Sequence, residues 1–144
     1  MEKISCILLV DDDPTTNFLN VELIEDLDIT EQVHVVHNGQ EALDFINLDG
    51  SFKDKCRDSC AIPDMIFLDI NMPLMDGFEF LEEFNKTKVA KEGAIVIILL
   101  TTSDAINDRM KSSLDRSIYK FIEKPLRKKE LLKLKDEYLN GIQQ

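Results

Sequence analysis

The stretch that opens the chain reads Ile4-Ser5-Cys6-Ile7-Leu8-Leu9-Val10-Asp11-Asp12-Asp13-Pro14. Its apolar part has the length of a strand, and so few polar residues indicate a strand that is buried on both faces, as in a parallel sheet. Asp13 can cap a helix, and proline is favoured at the first helical position. The sequence therefore predicts a buried strand over residues 4–10 and a helix that begins directly after Asp13.

The same alternation of apolar runs and helical patterns continues along the chain. Further strands are predicted over residues 32–37, 65–68, 94–100 and 119–123. The predicted helices are one after Pro14, one that opens at residues 38–41, one after Asp76-Gly77, one capped by Ser103 with Ile106, Met110 and Leu114, and one over residues 127–142. Five strands that alternate with five helices require right-handed crossovers, so the expected fold is α/β, a doubly wound parallel sheet in three layers.

The first helix carries an approximate apolar stripe, which is expected to face the core. Its members are Phe18, Val21, Leu23, Ile24 and Leu27.

Residues 49–63 interrupt the alternation, because they are polar and show no apolar period. We expect an extended loop insertion there, carrying Cys56 and Cys60. Cys6 lies inside the first apolar run and is expected in the core. Reduced thiols are expected for all three cysteines.

The composition predicts a single folded domain over residues 1–144. Apolar residues make up 44% of the chain, and 28 acidic against 17 basic residues give a formal net charge of -11. That charge disfavours nucleic acid and anionic membranes as partners. No apolar run approaches the ~20 residues of a membrane span, and the early aspartates do not fit a signal peptide. A cytoplasmic protein is expected.

Reactive side chains follow the predicted strands. They are Asp11 and Asp12 after the first strand, Asp69 after the third, Thr101 after the fourth and Lys124 after the fifth. Parallel strands end at one edge of the sheet, where ligands of such folds bind. Carboxylates in one pocket repel each other unless a cation neutralises them, and oxygen ligands suit Mg²⁺. The pattern predicts a magnesium site.

A carboxylate, a hydroxyl and an ammonium group beside a metal favour phosphoryl transfer, with Asp69 as the nucleophile. Taken singly, Thr101 could merely end its strand and Lys124 could be a surface lysine. His34 and His37 are interpreted as ordinary strand residues, because nothing nearby orients them.

Four motifs, in this order, resemble those of response-regulator receiver domains, and the resemblance covers nearly the whole chain. They are Leu8-Leu9-Val10-Asp11-Asp12-Asp13, Phe67-Leu68-Asp69-Ile70-Asn71-Met72-Pro73-Leu74-Met75-Asp76-Gly77, Ile98-Leu99-Leu100-Thr101-Thr102-Ser103 and Phe121-Ile122-Glu123-Lys124-Pro125. The resemblance implies a flavodoxin-like sheet with strand order 2-1-3-4-5, of the stand-alone type exemplified by chemotaxis regulators.

The resemblance also implies the roles of individual residues. Asp69 would accept a phosphoryl group from a phosphohistidine of a histidine kinase or phosphotransfer protein. Mg²⁺ would be held by Asp12, Asp69 and the backbone carbonyl of Asn71, with Asp11 acting through a metal-bound water.

In similar domains the phosphoryl oxygens are bound by residues in the positions of Thr101 and Lys124. Movement of that hydroxyl is coupled there to an inward turn of the aromatic residue on the fifth strand, here Phe121. The Lys124-Pro125 bond is usually cis in the family.

The chain ends after the last predicted helix, so no attached output domain is expected. The protein would then signal by docking or as a relay, with no nucleic acid or membrane partner. The readout face would be the predicted fourth helix, the fifth strand and the last helix, and a monomer or a weak dimer through this face is expected.

Two rival functions remain open. One is a phosphatase with an aspartyl-phosphate intermediate, similar to haloacid-dehalogenase enzymes, which need a second Asp two residues after the nucleophile. Asn71 occupies that position, and an amide cannot serve as the general acid. The other is a docking module that keeps the fold and no longer switches.

Overall fold

The computed structural model describes residues 2–47, 62–92, 94–102 and 118–141. Most of the predicted 49–63 loop, with Cys56 and Cys60, lies outside these ranges. The helix predicted from Ser103, with Ile106, Met110 and Leu114, lies outside them as well.

Helices and strands alternate through the described ranges. They are β1 (Ile4–Val10), α1 (Pro14–Leu27), β2 (Thr30–Val36), α2 (Gly39–Asn47), β3 (Met65–Asp69), α3 (Gly77–Phe84), α4 (Lys88–Glu92), β4 (Val96–Thr101), β5 (Ile118–Glu123) and α5 (Lys128–Leu139). All five predicted strands are present, with ends that differ from the predictions by at most two residues. The short helix α4 was not predicted.

The strands form one parallel sheet in the order β2-β1-β3-β4-β5. Every residue of β3 and β4 is buried, because helices cover both faces of the sheet. Side chains alternate between the faces, so Leu8 and Ile66 belong to one apolar core cluster while Ile7 and Leu9 belong to the other. The doubly wound, flavodoxin-like fold expected from the sequence is confirmed.

Helix α1 packs on the core through four of the five residues of its predicted apolar stripe, because Ile24 is buried and Val21, Leu23 and Leu27 are partly buried against the same core. Phe18 is the exception. Phe18 is 62% exposed, whereas Asn17, Asn20 and Ile24 are the buried residues of the helix. Their spacing of three and four residues defines one helical face. The prediction that Phe18 faces the core is wrong, because two amides occupy that face.

Cys6 is buried in β1, as predicted, but it is disulfide-bonded. The expectation of a reduced thiol is therefore wrong for this residue. That expectation came from the redox state usual in cytosolic chains.

Among the described helices, none combines the length and the apolar character required to cross a lipid bilayer.

Candidate functional site

The carboxyl ends of the central strands meet at one edge of the sheet. Asp69 ends β3 and pairs with Leu100 of β4, and the next residue of β4, Thr101, pairs with Glu123 of β5. Lys124 follows directly, and its backbone N–H donates to the Thr101 carbonyl at 2.7 Å. Strand register alone therefore brings an acid, a hydroxyl and an amine to neighbouring positions.

Three carboxylates converge at this edge. One oxygen from each of Asp11, Asp12 and Asp69 lies within 4.8 Å of the others. Asp11 and Asp69 are buried at 4% and 8% exposure, and Asp12 is exposed. We call these residues the acidic cluster. Hard oxygen donors at this spacing form a pocket that can hold a divalent cation.

Lys124 partly neutralises the acidic cluster. Its Nζ lies 2.9 Å from Oδ1 of Asp69 and 3.1 Å from Oδ2 of Asp11. The Lys124-Pro125 peptide bond is cis. One ammonium group thus contacts two of three carboxylates, which leaves net negative charge for a cation.

The protonation of this pair reflects its burial. Burial raises the pKa of Asp69 above its ordinary value, and the charge of Asp11 adds to this rise, although the hydrogen bond from Lys124 acts against it. Burial pushes the pKa of Lys124 down, but its hydrogen bond to Asp69 and the charges of Asp69 and Asp11 outweigh burial and raise it. Lys124 is therefore a charged donor beside a carboxylate that is costly to ionise.

The backbone around Asp11 is held from several sides. Its N–H donates to the Val36 carbonyl at 3.1 Å, and its Oδ1 accepts from the Asp13 N–H at 3.0 Å. Its carbonyl accepts a 2.8 Å hydrogen bond from Nδ2 of Asn17. Asn17 is not among the residues predicted from the sequence. The signal that points to it is its spacing from Asn20 and Ile24 on one helical face, which a search for apolar periodicity overlooks because two of these residues are polar.

Asp13 caps α1, as predicted. Its Oδ2 accepts from the Thr16 N–H at 3.3 Å and from the Thr16 hydroxyl at 2.5 Å. The hydroxyl bond from Thr16 lowers the pKa of Asp13. The carboxylate of Asp13 thus caps the N-terminus of α1.

Two further predicted residues lie at or just after the carboxyl ends of β4 and β3. Thr101 is buried at 2% exposure, and its hydroxyl donates to the Thr102 carbonyl at 2.9 Å. Asn71 is exposed in the loop that follows β3.

Phe121 lies on β5, the edge strand of the described sheet, and is 37% exposed. The side chain of Phe121 is thus partly open to solvent.

The loop after β3 is braced by two glycines. The Gly77 N–H donates to the Ile70 carbonyl at 2.8 Å, and a Cβ at Gly77 would lie 2.6 Å from the carbonyl oxygen of Asp69. The Gly39 N–H donates to the Met75 carbonyl at 2.9 Å. The backbone of Asp69 is therefore packed directly against the start of α3.

Comparison with known proteins places this geometry in one family. The family model described as the response regulator receiver domain matches residues 7–135 of this chain. The two-component response regulator ARR17 of Arabidopsis thaliana is 30% identical over 142 residues, which cover 97% of this chain and 88% of that protein. The response regulator Rcp1 of Synechocystis is 28% identical over 89% of this chain and 82% of its own length.

A solved structure gives the same assignment. The two-component response regulator from Cytophaga hutchinsonii superposes with a TM-score of 0.80 at 28% identity, covering 97% of this chain and all of that one.

Proposed function

Because this chain belongs to the receiver domains of two-component response regulators, we propose that Asp69 is its phosphoryl acceptor. The observation that carries the proposal is the contact of Lys124 Nζ with both Asp69 and Asp11, 2.9 and 3.1 Å away, beside the third carboxylate of the acidic cluster. A nucleophilic carboxylate next to a fixed ammonium group and a cation pocket suits phosphoryl transfer.

In the proposed reaction, a carboxylate oxygen of Asp69 attacks the phosphorus of a phosphohistidine on a histidine kinase or phosphotransfer protein. The phosphorus–nitrogen bond breaks, its electron pair stays on the imidazole, and an acyl phosphate forms. Lys124 then donates to a phosphoryl oxygen, and Thr101 donates its hydroxyl to another after leaving the Thr102 carbonyl.

We propose Mg²⁺ as the cation, held by Asp12, Asp69 and the backbone carbonyl of Asn71, with Asp11 acting through a water ligand. When bound, Mg²⁺ would neutralise the negative charge that gathers on the phosphoryl oxygens. The acidic cluster fits this ion, because its donors are all oxygen and a single ammonium group cannot balance three carboxylates.

The readout in this proposal is a change in protein–protein contacts. Thr101 and Phe121 would move together on phosphorylation, and the partly exposed ring of Phe121 is the group available for an inward turn. We propose a cytoplasmic receiver-domain switch, a monomer or weak dimer, which passes the signal to a protein partner or along a relay.

Incubation with Mg²⁺ and acetyl phosphate tests the acceptor role. The intact mass should rise by one phosphoryl group in the wild type and stay unchanged in Asp69→Asn. Asp13→Asn is the matched control, since its carboxylate caps α1, and it should still be phosphorylated. No mass increase in the wild type, or an equal increase in Asp69→Asn, would contradict the proposal.

We also propose that the protein does not turn over external phosphate esters, because Asn71 replaces the general acid that a phosphatase of similar chemistry needs. A chromogenic phosphate ester should release no product above background. Sustained release that Asp69→Asn abolishes would instead favour the phosphatase.

A further inference from the structure

Asn17 is a polar residue at a buried position of α1, where an apolar side chain is usual. It is 5% exposed and shares the inward face of α1 with Ile24. Burying a carboxamide is costly unless its polar atoms are hydrogen-bonded. The bonds that Asn17 makes therefore indicate what its side chain does.

The side chain of Asn17 donates a hydrogen bond but accepts none from the described residues. Nδ2 donates to the Asp11 carbonyl at 2.8 Å, while the buried Oδ1 has no hydrogen-bond partner among the described residues. A buried acceptor without a hydrogen bond destabilises the folded state. Packing alone does not explain an amide here, since an apolar side chain would fill the same space without this penalty.

The bonded carbonyl lies between two members of the acidic cluster. It belongs to the peptide unit that joins Asp11 to Asp12, so the bond from Asn17 fixes the plane of that unit. The other side of Asp11 is fixed by its N–H bond to the Val36 carbonyl of β2. Sheet and helix therefore orient this peptide jointly.

Asp12 depends on this orientation more than its neighbours do. Asp11 and Asp69 both contact Lys124, whereas Asp12 is exposed and has no side-chain bond or ion pair in the part of the chain that the structure describes. Its carboxylate is directed toward the acidic cluster mainly by the backbone that carries it.

We propose that Asn17 is a positioning residue for the cation site, acting through the Asp11 carbonyl to hold Asp12 in place. This inference rests on the proposed Mg²⁺-dependent function. Asn17 touches neither the cation nor the phosphoryl group, and its effect lies in how tightly the acidic cluster binds Mg²⁺.

Calorimetric titration of Mg²⁺ into Asn17→Ala tests the inference. The affinity should fall about tenfold, the loss typical for removing an outer partner of a metal ligand. Phosphorylation by acetyl phosphate should slow at low Mg²⁺ and recover at saturating Mg²⁺, because Asp69, Thr101 and Lys124 are intact. Asn20→Ala removes a buried amide from the same helix face and should leave both properties unchanged.

Asn17→Leu separates positioning from packing, since it keeps a side chain branched at Cγ in the buried position and removes the donor. The same loss of Mg²⁺ affinity is expected. Wild-type affinity in the folded Leu variant, or an equal loss in Asn20→Ala, would overturn the inference. A wild-type protein that neither binds Mg²⁺ nor accepts phosphate would instead overturn the proposed function.

Discussion

At the scale of single residues, the site carries more negative than positive charge. Three carboxylates share one ammonium group, and burial already raises the pKa of Asp69. A bound cation should therefore stabilise the folded state, and the loss of one negative charge should reduce the repulsion between the carboxylates.

Asp12→Asn should therefore melt at a higher temperature than the wild type without metal and lose most of its response to Mg²⁺. In the wild type, a cation at 100 times its Kd would add about 2.7 kcal/mol to the free energy of unfolding. Melting curves with and without millimolar Mg²⁺ measure both effects. A variant that melts lower and still responds to Mg²⁺ would show that the acidic cluster is wrongly described.

Among the glycines that the structure describes, Gly77 leaves the least room for a side chain. A Cβ there would meet the Asp69 carbonyl oxygen at 2.6 Å and the Ile70 Cα at 3.0 Å, both backbone atoms that cannot rotate away. Gly77→Ala should lower the free energy of unfolding by about 1–3 kcal/mol, as for other overpacked sites, and weaken Mg²⁺ binding by displacing Asp69.

Gly141→Ala is the control for that change in urea denaturation and Mg²⁺ titration. Gly141 has φ +92° and no neighbour within 4 Å of a built Cβ, so it tests backbone strain without a clash. Mg²⁺ affinity should be unchanged in Gly141→Ala. Unchanged Mg²⁺ affinity in Gly77→Ala would mean that the start of α3 does not position Asp69.

At the scale of elements, α5 is tied to the end of the sheet opposite the site. Tyr138 of α5 lies beside Asp64, whose Oδ2 accepts the Cys6 N–H of β1 at 2.9 Å. Burial raises the pKa of Tyr138 to about 12, and the charge and hydrogen bond of Asp64 add to the rise. The neutral phenol is thus the form that the folded state favours.

The raised pKa of Tyr138 should make the free energy of unfolding fall as the pH rises above 10. Below pH 10, the ordinary pKa of tyrosine, Tyr138 is protonated in both states, and its stabilising effect is complete. Between pH 10 and about 12 the unfolded chain ionises first, so the free energy of unfolding falls. For a partly exposed group the loss is roughly 1 kcal/mol after allowing for screening.

Urea denaturation of the wild type and Tyr138→Phe across this pH range checks the effect. The difference in unfolding free energy between the two proteins should shrink as the pH rises from 10 to 12. A difference that stays constant would mean that burial does not hold Tyr138 in its neutral form.

The elements also show where sequence reasoning succeeds. The strand at residues 4–10 and the Asp13 cap were predictable, because a fully apolar run and an Asp-Pro pair each have one common structural meaning. Helix α4 was missed because it buries no residue and has no apolar stripe. Its visible signal was Thr87, whose hydroxyl oxygen accepts the Ala90 N–H at 3.2 Å.

At the scale of the whole molecule, the parallel arrangement of the strands accounts for most of the site. Strand ends must share an edge, so Asp69 and Lys124 could be expected to meet although 55 positions separate them. The support around them could not be predicted. Asn17 and Gly77 act through backbone carbonyls, and such contacts depend on a register and a helix rotation that apolar periodicity does not fix.

The central claim is that Asp69, rather than another member of the acidic cluster, carries the phosphoryl group. Treating the acetyl phosphate-labelled protein with borohydride reduces an acyl phosphate to an alcohol, which converts the modified aspartate to homoserine. Peptide mass mapping should find homoserine at position 69 and unmodified aspartate at positions 11 and 12. Homoserine at position 11 or 12 with Asp69 intact would contradict the account.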